Sequence, residues 1–136
     1  MKAHLFAIST ITVACGATTP MHATETAIPE PSAQIFKDAR PMLGKEISVK
    51  GVLRWTFENR NLFPPGTDPS QPPEASCLPI LIKRSDSTMQ KIAEALDRDV
   101  VVVKSRVIDP APPGEVSIGS CKPVGIEVKS IEKVRG

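Results

Sequence analysis

The sequence predicts a small, mainly β domain: a five-stranded barrel with one helix between the third and fourth strands and another at its N-terminal side. Three observations carry this expectation. Residues 45–57 alternate apolar and polar side chains over a run long enough to serve two halves of a barrel. Short apolar or β-branched runs recur at 62–63, 77–82, 100–108 and 126–134, bounded by Pro, Gly, Asn and Asp. Between the third and fourth of these strands, residues 87–96 have helical spacing. A length of 136 residues suits one domain. A small α+β sheet with both helices on one face is the competing architecture.

Residues 1–23 have the three parts of an export signal. Lys2 supplies the positive start, residues 5–17 form an uncharged, mostly apolar core, and small residues follow. The core is shorter than the ~20 residues of a membrane span. Ile11-Thr12-Val13-Ala14-Cys15 resembles a bacterial lipobox, which implies cleavage before Cys15 and acylation of that residue. Cleavage after Ala23 is the alternative, and it would leave a soluble periplasmic or secreted protein. Residues 15–30, rich in Thr, Ala and Pro, read as a flexible tether. The folded domain is expected over 31–136.

Within that domain, Ser32 is placed to cap a helix whose apolar stripe is Ile35, Phe36, Ala39 and Leu43, with Pro41 ending or kinking it. In the strand that follows, Ile47, Val49, Leu53, Trp55 and Phe57 share one face, Gly51 completes the series, and Val52 alone breaks the alternation. Gly51 marks a bulge or bend. Residues 58–61 form a polar turn before the short strand at 62–63. The segment 64–76 holds five prolines and is expected to be an exposed, stiff loop. Pro79 places the start of the third strand at an edge or bulge. Ser87-Thr88-Met89-Gln90 fits a capping box, and Met89, Ile92, Ala93 and Leu96 form the inward helical face. Asp97-Arg98-Asp99 closes that helix. After the fourth strand come a turn-rich segment, a short candidate strand at 116–118, and a last strand with a register change near Ser130.

The order β-β-β-α-β-β is that of the oligonucleotide/oligosaccharide-binding (OB) fold, where the helix plugs one end of the barrel. The sequence resembles small exported bacterial OB-fold proteins in Gly44-Lys45-Glu46-Ile47-Ser48-Val49-Lys50-Gly51-Val52-Leu53. It resembles them again in Gly125-Ile126-Glu127-Val128-Lys129-Ser130-Ile131-Glu132-Lys133-Val134. The resemblance implies a binding face over strands 2 and 3, with Asn59, Arg60 and Asn61 on one rim and Lys83 and Arg84 ending strand 3. Arg54 projects from the outer side of strand 1. Trp55, Phe57 and Phe63 are assigned to the core.

Chemistry narrows the function further. With Cys15 reserved for acylation, Cys77 and Cys121 pair naturally as a disulfide in an oxidising compartment, two free buried thiols being the alternative. Both histidines, His4 and His22, precede the domain, so Ser–His–Asp and Cys–His mechanisms lack their base. Two cysteines without a nearby histidine do not make a usual zinc set. Asp97 and Asp99 read as solvated charge. With 17 Lys and Arg against 15 Asp and Glu, and five aromatic residues, the chain lacks the basic, stacking surface of a nucleic-acid binder. The expectation is a non-enzymatic, cofactor-free module of the cell envelope that recognises a protein or a glycan and is anchored to the membrane by its acyl chains. A periplasmic inhibitor or immunity protein against a hydrolase or toxin is the alternative.

Overall fold

A computed structural model describes residues 16, 31, 33–109 and 121–135. The leader, Cys15, Ser32, nearly all of the tether and the candidate strand at 116–118 lie outside the described residues. Five strands are present among them: β1 (Glu46–Trp55), β2 (Arg60–Phe63), β3 (Leu78–Leu81), β4 (Val100–Ile108) and β5 (Gly125–Lys133). One α-helix, α1 (Ser87–Ala95), lies between β3 and β4. The strands close into a barrel in the order β1-β2-β3-β5-β4. All neighbours are antiparallel except β3 and β5, which run parallel.

Closure depends on β1 serving two partners. Residues 46–52 pair with β4 and residues 52–55 pair with β2. Gly51 sits at the handover, and a Cβ there would come within 2.4 Å of the Phe63 carbonyl oxygen. Its missing side chain is what lets β2 cross so close. Pro79 has the matching role in β3, between pairing with Asn61 of β2 and the parallel contact to β5. Having no N–H to donate, it fits a strand where the ladder changes hands. The register change expected near Ser130 is present: Lys104 faces Ser130 and Ser105 faces Val128, so Lys129 bulges outward.

The interior follows the alternation. Ile47, Val49, Leu53, Leu62, Val101, Val103 and Ile126 are almost fully buried. From α1, Ala93 is fully buried against this core, with Met89 and Leu96 packed beside it. Val52, the exception in the sequence pattern, is buried on the opposite face of β1. There it forms a second small cluster with Phe63 and Cys77, the residues that flank the Pro-rich loop.

Four local expectations need correction. The N-terminal helix is replaced by two 3-10 turns, Ala33–Phe36 and Arg40–Met42. Pro41 offers no amide, and the Asp38 carboxylate takes the Arg40 N–H at 3.0 Å, so the helical ladder cannot continue. Ile35, Phe36 and Ala39 still reach the core, whereas Leu43 is exposed. The helix cap is Asp86 rather than Ser87, its carboxylate accepting from Met89 N at 3.0 Å. Gln90 instead donates to the Lys83 and Arg84 carbonyls. The polar turn comes earlier than expected, with Thr56 N donating to Asn59 O, and Arg60 and Asn61 already belong to β2. Phe57 therefore lies past the end of β1 and is exposed.

Candidate functional site

The outer face of β2 is built by pairing. Asn61 faces Arg54 across β1 and Pro79 across β3, and Phe63 faces Val52. The Pro-rich loop folds back at the edge of this face and is tied down at several points. Arg54 Nη1 donates to the Pro69 carbonyl, and Thr67 Oγ1 donates to the Pro64 carbonyl at 2.7 Å. The Cys77–Cys121 disulfide forms, joining the end of the loop to the segment before β5, with 6.4 Å between Cα atoms. Next to it, Lys122 Nζ donates to the Phe36 carbonyl and, at 3.1 Å, to the Ala75 carbonyl. Burial pushes the Lys122 ammonium below the ordinary lysine value, and nearby Asp38 opposes that shift.

These ties leave a cleft of about 680 Å³ open over β2. Glu58 and Asn59 of the β1–β2 turn form part of its lining, Asn61 and Phe63 come from β2, and Pro72 and Glu74 from the loop. The two cysteines complete it. Asn61 is buried to 4% exposure, and its amide Nδ2 donates to Asn59 Oδ1 at 2.7 Å. Its Oδ1 lies 3.2 Å from Cys121 Sγ. This bond holds the two amide side chains in a fixed relative orientation.

The barrel is OB-like. Its closed strand order and the helix between β3 and β4 place the cleft on the face that such folds use for binding. No protein-family model matches the chain, and no curated protein matches it. Among solved structures it is similar to OBody AM2EP06 bound to hen egg-white lysozyme, at 20% identity and a TM-score of 0.46, over 75% of this chain and 88% of that one. It is also similar to OBody AM3L15 bound to the same protein, at 19% identity and a TM-score of 0.46, over 70% and 85% of the two chains. For OBody AM3L09 bound to hen egg-white lysozyme the values are 18% and 0.44, over 69% and 85%.

The residues singled out from sequence divide into three groups. Asn59 and Asn61 come together in the cleft. Arg54 shares their side of the sheet but is held away: its Nε donates to Asp97 Oδ1 at 3.3 Å, and only 17% of its side chain is exposed. Arg60 sits on the other side of β2, its guanidinium 4.9 Å from the centre of the Trp55 ring. Lys83 and Arg84 lie between β3 and α1, where Lys83 lines a separate, smaller pocket with Asp86 and Glu127. Asp97 is not simply solvated, since it also accepts the Trp55 backbone N–H at 2.7 Å and so pins the end of β1. Asp99 is ion-paired with Lys133 at 3.3 Å. Sequence reasoning missed Glu58, Phe63, Pro72 and Glu74 as lining residues. The one usable signal was the flanking of the Pro-rich loop by Phe63 and Cys77.

Proposed function

We propose that this chain is a non-enzymatic binding module of the cell envelope, which holds a protein or glycan partner in the cleft over β2. The observation that carries the reading is the cleft itself. It is polar, lies on the binding face of an OB-like barrel, and is walled by a disulfide and an interlocked Asn59–Asn61 pair. A preformed site of this kind loses little freedom when a partner enters. The disulfide fits an exported protein. The lipobox-like segment ending at Cys15 supplies the anchor in this reading, and the residues after it supply the reach from the membrane.

A photo-crosslinking amino acid in place of Glu58 should capture a partner from envelope extract. The same group in place of exposed Lys104, on β4, should not. Equal capture at both positions would refute the cleft as the binding site. A Cys15→Ser variant should leave the membrane fraction, and retention there would refute the acyl anchor.

The inhibitor reading draws on a different feature. The loop between Phe63 and Cys77 is exposed at Pro65, Gly66, Ser70 and Gln71, yet anchored on either side through Pro64, Pro69 and Cys77. A preordered projection of that sort suits insertion into an active-site cleft. Deleting residues 65–73, which also removes Pro72 from the cleft lining, abolishes partner binding under that reading, and binding that survives the deletion would refute it.

A further inference from the structure

We propose that the Cys77–Cys121 disulfide is a thiol-exchange site: an external thiol attacks the Cys121 sulfur, and reduction loosens β3 from β5 beside the cleft. The substrate class is a thiol or dithiol reductant. The inference goes beyond the proposed binding role and does not depend on which partner the cleft holds.

The bond is reachable, and unequally so at its two ends. Both cysteines line the cleft of about 680 Å³, so a reagent entering it meets them without unfolding the barrel. Cys121 is exposed, whereas Cys77 is 1% exposed and packs with Val52 and Phe63. Exchange requires an incoming thiolate to reach one sulfur while the other leaves. Access therefore selects Cys121 as the sulfur attacked and Cys77 as the leaving group.

The reduced form has a place for both of its hydrogens. A disulfide sulfur has none to donate, yet each sulfur here faces an oxygen acceptor. Cys77 Sγ lies 3.5 Å from the Glu74 carbonyl oxygen, and Cys121 Sγ lies 3.2 Å from Asn61 Oδ1. A thiol at either position becomes a donor to an acceptor already in place. As the external sulfur bonds to Cys121 Sγ, the Sγ–Sγ bond breaks and its electron pair stays on Cys77 Sγ, which takes a proton from water. A second thiol attacks the external sulfur of the mixed disulfide and releases Cys121 as a thiolate. Two external thiols are thereby oxidised to one disulfide, and the protein disulfide is reduced to two thiols.

What the bond holds together is the least supported strand. Each residue of β3 pairs on one side only: Leu78 and Pro79 face β2, and Ile80 and Leu81 face β5. By contrast, Val101 and Val103 of β4 pair with both β1 and β5. At the cleft end of the β3–β5 seam the backbones touch without a donor from β3. Pro79 has no N–H, and a Cβ on Gly125 would lie 2.6 Å from the Pro79 carbonyl oxygen. Cys77 precedes Pro79 and Cys121 precedes Gly125, so the disulfide is the covalent tie at that end. The Lys122 hydrogen bond to the Ala75 carbonyl is its non-covalent companion. Reduction leaves the seam to the Ile80–Ile126 and Leu81–Glu127 pairs.

The test uses the full chain carrying Cys15→Ser, which leaves Cys77 and Cys121 as its cysteines. Reduced glutathione added without denaturant and quenched in acid should give a mixed disulfide on Cys121 in about tenfold excess over Cys77, read by peptide mass spectrometry. The rate of reduction by dithiothreitol should change less than about twofold on adding about 1 M urea, because the folded protein is what reacts. Amide hydrogen exchange then reads the seam. Reduction should speed exchange at Ile80 and Leu81 by about tenfold or more, with little urea dependence, while Val101 and Val103 keep the steep dependence of global unfolding. Adduct shared equally or mainly on Cys77, or reduction that accelerates steeply with urea, would overturn the exchange site. Exchange at Ile80 and Leu81 that is unchanged on reduction, or that matches Val101 and Val103 in rate and urea dependence, would overturn the loosening of the seam.

Discussion

Replacing Gly51 with alanine tests the central claim about how the barrel closes. The added Cβ would stand 2.4 Å from the Phe63 carbonyl oxygen and 2.8 Å from Leu62 Cγ. Leu62 could rotate, but the carbonyl belongs to the β1–β2 ladder, where Val52 pairs with Phe63. Reaching an ordinary contact distance requires β2 to retreat by about 1 Å, enough to weaken that ladder. Overpacking of this kind costs about 1–3 kcal/mol, and a strained ladder bond adds about 1 kcal/mol. Against this, alanine restricts the unfolded chain and offsets about 0.5–1 kcal/mol. The net expectation is a loss of about 1–3.5 kcal/mol, or a melting temperature lower by roughly 5–25 °C for a domain of this size. Urea unfolding followed by Trp55, the single tryptophan, together with circular dichroism, would measure it. Gly44→Ala is the control: Gly44 has φ +80 with open space around the missing Cβ, so only the left-handed backbone is penalised, by about 1 kcal/mol. If Gly51→Ala lies within about 0.5 kcal/mol of the parent, or Gly44→Ala is the more costly change, the shared-strand account is wrong.

Three further outcomes follow from the same structure. The Cys77→Ala/Cys121→Ala variant should lose about 4 kcal/mol in the chain-entropy account for a separation of 44 residues, and a parent titration with and without reductant should show the same gap. Coincident unfolding curves would contradict it. Ser105 is 1% exposed and its Oγ has no partner among the described residues, so Ser105→Ala should raise stability by about 1 kcal/mol at unchanged m. A lower urea midpoint would mean that the hydroxyl is satisfied. The Asp38 carboxyl is held down to about 2 by its hydrogen bonds and charge contact with Arg40. Its contribution is therefore complete above the unfolded value of 3.8 and is lost as pH falls through about 2. Carboxyl NMR should show that midpoint rising toward 3.8 in Arg40→Ala, and an unmoved midpoint would refute the assignment.

The barrel was legible because its signals are local. Alternation along β1, the glycine at position 51, the helical spacing at 87–96 and the break near Ser130 each reflect neighbouring residues on one strand or helix. At Asp97 and Val52, where expectation failed, a contact between residues far apart in sequence decided the outcome. Asp97 finds the Trp55 amide only because the turn after α1 docks on β1, where Arg98 N also donates to Leu53 O at 2.7 Å. The N-terminal turns keep the buried stripe of a helix while Asp38 and Pro41 deny it the backbone ladder. Val52 looked like an error in the pattern, and only the pairing with Phe63 reveals a second apolar cluster. The cleft was half legible. Asn59 and Asn61 follow from the resemblance, but Glu74 is brought there by a loop whose path depends on Arg54, Lys122 and the disulfide.

The place of β5 has a consequence for the order of assembly. It is the last of the strands along the chain, yet it lies between β3 and β4, pairing with residues as far back as Ile80. A chain made from its N-terminus can form the β1–β2 hairpin and the β1–β4 ladder early, but it holds an open seam until Gly125–Lys133 arrives. Cys121 stands four residues before that strand, so docking of β5 is what brings its sulfur to Cys77. The covalent bond then records that the barrel has already closed, and oxidation acts as the final latch on a fold that its last strand completes.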